Sequence, residues 1–161
     1  MNLIDCSYFT NGPLQIENAG VTDDLDNNAY AVQEAISGYI EHYQGTFLRK
    51  MLGDTLATTV ENHLSTNGTD ANLETLCEKL RKSFAHYVYF KICGDANQQL
   101  TVTGLVRLKS ANDNQPPRQR MVSVWNDMVE LNRQFVKWAE TSNFEVFYHV
   151  NMVTPINQFN I

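Results

Sequence analysis

The chain has 161 residues, with 18 Asp plus Glu against 12 Lys plus Arg, a formal net charge of -6 and a sequence pI near 5.1. A chain of this length buries roughly two-thirds of the surface its unfolded form exposes, enough for one ordinary core. The apolar share of 43% with 11% aromatics excludes disordered, collagen-like and coiled-coil classes, and the low charged share of 19% is offset by 17 Asn and 9 Gln.

Residues 1 to 24 hold no sustained period. Tyr8 and Phe9 precede the turn-forming Asn11-Gly12-Pro13, and Leu14 and Ile16 then alternate with polar neighbours. This segment reads as an extended N-terminal arm. From about Asp26 to Tyr43 the positions Val32, Ile36, Tyr39, Ile40 and Tyr43 form one helical stripe, with Asp26 or Asn27 as N-cap. Gly45 is expected to interrupt it. The stripe resumes with Phe47, Leu48, Met51 and Leu52, and Gly53 reads as a left-handed C-cap.

Asp54 is placed to cap a further segment carrying Leu56, Val60 and Leu64 and stopping at Ser65-Thr66-Asn67-Gly68. The next helix is expected over residues 71 to 93, with Leu73, Leu76, Cys77, Leu80, Phe84, Tyr87, Val88 and Ile92 on one side and Gly94 as its end. Tyr87 to Phe90 is apolar through nearly a turn, which predicts either a central helix or a subunit contact. Residues 100 to 110 read as a short β-hairpin or extended arm within an insertion over 99–117. The last helix is predicted over 118–141, directly after Pro116-Pro117, with Met121, Val124, Trp125, Met128, Asn132, Phe135 and Trp138 at helical spacing. Residues 144 to 150 read as a strand, and 154 to 161 as a tail without period. The fold class is therefore mainly α. It is a single helical-bundle domain of four to five helices, comprising an N-terminal arm (1–24), a core (25–143) and a C-terminal strand and tail (144–161).

The sequence carries little catalytic chemistry. His42, His63, His86 and His149 form no HExxH or HxH array and read as partly exposed helix-surface residues, so no metal is expected. Cys77 lies on an apolar helix face without an activating base, and the three cysteines are odd in number with no CxxC spacing. The glycines are isolated, with no P-loop or dinucleotide fingerprint, so no cofactor and no small-molecule substrate is indicated. Asp23, Asp24 and Asp26 complement a helix start and do not continue into a calcium loop. The start of the chain lacks the basic and apolar stretches of a signal peptide, and no apolar run reaches membrane-spanning length. The expectation is a soluble cytoplasmic protein.

Charge is unevenly distributed. Residues 1–70 carry ten acids against two bases, a charge of -8, whereas 71–161 carry eight acids against ten bases, a charge of +2. The most basic stretch holds Arg107, Lys109, Arg118 and Arg120 against Asp113 alone. It reads as a solvated loop, a nucleic-acid contact or a dock for the acidic part of a neighbouring subunit. Nucleic acid is disfavoured by the acidic total.

Several phrases together resemble a family. Phe47-Leu-Arg-Lys-Met-Leu-Gly-Asp-Thr-Leu56 resembles the FLxxLLGxxL phrase of small helical head-tail connector or head-completion proteins of tailed phages and prophages of gut bacteria. Phe84-Ala-His-Tyr-Val-Tyr-Phe90, the Thr103 to Asn112 stretch, Arg120 to Val129 and the closing Pro155-Ile-Asn-Gln-Phe-Asn-Ile161 are similar in the same way. The resemblance implies an oligomeric ring between portal and tail, whose subunits reach neighbours with their arms, and it carries no catalytic residue.

Phe9, Leu14, Ile16, Ile156, Phe159 and Ile161 are apolar residues on unperiodic segments, each requiring a groove on its own or another subunit. With Arg107, Lys109, Arg118 and Arg120 they form the expected oligomer and partner interface. The reading is a non-enzymatic head-tail connector subunit, bound to itself and to portal or tail proteins. The alternative is a bacterial regulatory module recognising a peptide or nucleic acid through its aromatic helix and basic loop.

Overall fold

Four α-helices are present among the described residues of the computed structural model: α1 (Asn27–Leu52), α2 (Asp54–Ser65), α3 (Ala71–Asp95) and α4 (Arg118–Ala139). Residues 1–20, 27–95, 98–101, 104–107 and 118–156 are described, those at 27–29, 98–101 and 104–107 by backbone alone. Between α3 and α4, β1 (Gln98–Thr101) and β2 (Gly104–Arg107) pair antiparallel, with Gln98 opposite Arg107 and Thr101 opposite Gly104. No helix of the described residues is long and apolar enough to cross a membrane.

The helix α3 lies at the centre, packed against α1, α2 and α4. Asp70 starts it by accepting the amides of Asn72 at 2.8 Å and Leu73 at 3.3 Å, which satisfies donors that a helix start leaves free. Phe84 and Tyr87 then meet Phe47 of α1 with ring centroids 5.0 and 5.5 Å apart, all three buried. On the opposite side Phe90 packs on Trp125 of α4 at 5.0 Å. The apolar Tyr87–Phe90 turn is thus covered from two directions because α3 is the central helix.

Four expectations are corrected. Gly45 does not interrupt α1, because the stripe from Ile36 to Leu52 packs continuously and outweighs a helix penalty of about 1 kcal/mol for one glycine. The N-terminal arm is not extended: Cys6–Phe9 and Gly12–Leu14 are 3-10 turns folded against α1 and α3. Gly94 does not end its helix, which continues to Asp95. Among the described residues, 144 to 150 pair with no strand. They run as an extended strap beside the end of α1 and enter a 3-10 turn at Val150–Val153.

Gly53 connects α1 to α2 with φ +77° and ψ 169°, a conformation essentially restricted to glycine. Its amide closes α1 on the Arg49 carbonyl at 3.0 Å, while its own carbonyl accepts the amide of Ala57 at 3.1 Å. The chain therefore turns sharply without losing hydrogen bonds.

Candidate functional site

The last turn of a helix leaves carbonyls without intrahelical donors. In α1 two of them are taken by the C-terminal strap: the Phe147 amide donates to Leu52 O at 3.3 Å and the His149 amide to Lys50 O at 2.8 Å. Alternate amides pointing to one side are the signature of an extended segment. Val146 and Phe144 pack toward the core, whereas Glu145, Phe147, Tyr148 and His149 are exposed.

Beyond the strap, α4 fixes the chain through polar side chains. The buried Asn132 donates Nδ2 to Met152 O at 2.7 Å, and its Oδ1 accepts from Ser83 Oγ of α3. Arg133 Nε reaches Val153 O at 3.0 Å and Trp125 Nε1 reaches Thr154 O at 3.1 Å. Asn126 grips Ile156 at both backbone groups, donating to its carbonyl at 3.0 Å and accepting its amide at 2.8 Å. Six residues from Phe147 to Ile156 are thereby held at their backbone by α1 or α4, with Met152 buried and the side chains of Phe147, Tyr148, Val150 and Ile156 facing outward.

Those side chains are apolar. Phe147 is 64% exposed, Val150 73%, Ile156 40% and Tyr148 39%. Phe147 and Tyr148 line a cleft of about 980 Å³ between the α1–α2 junction and the strap, together with Arg49, Lys50, Asp54, Glu145 and His149 among others. A second cavity, of about 620 Å³, lies under Met1 to Tyr8 beside Ser37 and Arg81. Exposed apolar residues at a cleft rimmed by both signs of charge are suited to a protein partner.

The titratable groups are mainly structural. Burial pushes the Cys77 thiol up to about 11, with Glu74 adding to the shift and Arg81 opposing it, so thiolate is scarce at neutral pH. Burial raises Cys93 as well. His63 corrects the expectation of surface histidines: it is buried between α2 and α3, with Nε2 3.5 Å from Glu74, which also pairs with Arg81. No group of three or more His, Cys, Asp or Glu suited to a metal occurs among the described residues.

The expected interface residues divide. Phe9 and Leu14 are buried in the chain's own core and Ile16 packs against it, so the interface role assigned to the N-terminal arm is corrected. Apolar arm residues find their groove on the same subunit. Arg120 is also engaged internally, donating to Pro13 O and lying 5.5 Å over the Tyr89 ring. Arg118 and Ile156 are exposed. The Arg107 side chain, Lys109, Phe159 and Ile161 lie outside the described residues, as do the proposed Asp26 cap and Asp23 and Asp24. Phe84 and Tyr87 are buried, which removes them from the aromatic helix face that the alternative reading uses to recognise a peptide or nucleic acid.

Sequence reasoning misses the exposure of Phe147, Tyr148 and Val150 because it assigns residues 144 to 150 to a strand. The available signal was Asn132 inside an apolar stripe, since a buried amide requires backbone partners from another segment. Compared with family models, curated proteins and solved structures, the chain has no match.

Proposed function

We propose that the chain is a non-enzymatic assembly subunit, of the head-tail connector kind found in tailed phages and prophages, acting through contacts with copies of itself and with a portal or tail protein. The observation that carries this reading is the exposed row Phe147, Tyr148, Val150 and Ile156 on a backbone held by hydrogen bonds. Ordering a loop on binding costs conformational entropy, and a pre-ordered strap avoids most of that cost. The uneven charge along the sequence supports the same reading, with the β1–β2 arm and the basic residues Arg107, Lys109 and Arg118 as a second adhesive element. The cytoplasm is the proposed compartment before assembly.

Sedimentation of the full chain alone and mixed with a portal protein tests the reading. Larger species alone, or a joint boundary with the portal, are expected. A chain that remains an 18.4 kDa monomer under both conditions contradicts it.

A further inference from the structure

The strap has two backbone edges. The amides of Phe147 and His149 face the end of α1, so by strand geometry the peptide groups of Val146 and Tyr148 face the other way. Among the described residues nothing hydrogen-bonds to the backbone of either residue. An extended edge with unpaired peptide groups beside exposed apolar side chains is a template for strand addition.

We propose that this edge pairs with the same edge of a second copy, antiparallel and centred on Phe147. The inference rests on the self-association part of the function proposed above and names where it occurs. The register follows from the sequence Phe144-Glu-Val-Phe-Tyr-His-Val150. With Phe147 on the two-fold axis, Val146 stands opposite Tyr148 of the other copy, and the two residues with outward peptide groups become the hydrogen-bonded pairs. Glu145 stands opposite His149, an acceptor against an imidazole donor. Phe147 meets its own counterpart at a non-hydrogen-bonded position, where side chains approach most closely.

Moving the two-fold axis by one residue, to Val146 or Tyr148, places that residue opposite itself and separates Glu145 from His149. The centred register alone satisfies the outward peptide groups, the charges and the apolar residues together. Because the contact is isologous it closes as a pair and leaves the remaining surface for other partners.

Disulfide trapping in the full chain tests the register. Opposed residues at a non-hydrogen-bonded position have Cα atoms about 4.5 Å apart, within disulfide reach. Phe147→Cys is expected to give a covalent dimer linked 147 to 147 by peptide mapping. Glu145→Cys is expected to give none, since the two copies of residue 145 stand about 13 Å apart. Phe147→Glu should abolish the non-covalent dimer with unchanged helical circular dichroism. In a Glu145→Lys background, the dimer weakens and is restored by adding His149→Glu. Equal trapping at 145 and 147 overturns the inference, as does dimerisation indifferent to Phe147→Glu. In the latter case the assembly reading stands, with its interface elsewhere, whereas a wild-type monomer that still binds the portal overturns the self-pairing alone.

Discussion

Asn132 on α4 donates its side-chain amide to the Met152 carbonyl at 2.7 Å, both residues fully buried. Because Asn132 Oδ1 also accepts from Ser83, this amide joins α3, α4 and the strap at one point. Asn132→Leu is expected to destabilise the fold by about 2 kcal/mol, since it strands a buried carbonyl and a buried hydroxyl. Adding Ser83→Ala removes one stranded group and should recover part of the loss. Urea unfolding of the single and double variants measures both effects.

Two glycines in adjoining elements should respond differently to alanine. At Gly53 the backbone conformation excludes other residues, and an added Cβ would stand 3.0 Å from Cβ of Phe147. Gly53→Ala is expected to cost about 1–3 kcal/mol and to loosen the strap. At Gly45 the added methyl meets only the ends of Arg49 and Glu61, a partly exposed pair at 3.0 Å that can move. Helix propensity favours alanine there by about 1 kcal/mol, so Gly45→Ala should leave stability level or slightly raised. Thermal unfolding of the two variants provides the comparison.

Stability should fall in alkali. The Cys77 thiol is raised from its ordinary 9.0 to about 11 by burial, and Tyr39 from 10.0 to about 12 by burial and by its hydrogen bond to Asp95. Burial likewise raises Tyr43, Tyr87 and Cys93. Each group ionises first in the unfolded chain, so its contribution is intact below about pH 9 and is lost as pH rises through the folded values. Urea midpoints are expected to hold up to about pH 9 and to decline through about pH 12, with a shallower early decline in Cys77→Ala. A flat profile across that range contradicts the assignment.

Phe47 sits where α1 meets α3, in ring contact with both Phe84 and Tyr87. Phe47→Ala is expected to cost about 3–5 kcal/mol in chemical denaturation, the usual range for a buried aromatic.

The helical core was legible in the sequence because periodic apolar residues report the face that packs. Leu76, Leu80, Phe84, Val88, Val124 and Met128, all read from spacing, are buried. The terminal segments were not legible in the same way. Phe9 and Leu14 looked available to a neighbour because no local period reveals that a 3-10 turn delivers them to their own core. The strap resembled a strand because Phe144 to Val150 is rich in strand-forming residues. Its actual hydrogen-bond partners are helix-end carbonyls of α1 and polar side chains of α4, over 90 residues away in the first case and near in the second, and spacing encodes neither. Gly45 misled because propensity is a weak prior against a continuous packed face.

In the proposed self-pairing the exposed strap joins this chain to another copy. Light scattering of the wild type and Phe147→Glu across a concentration series tests it most directly. The wild-type mass is expected to rise from 18.4 kDa toward twice that value, with Phe147→Glu remaining at 18.4 kDa and equally helical. Identical mass curves for the two proteins would contradict it.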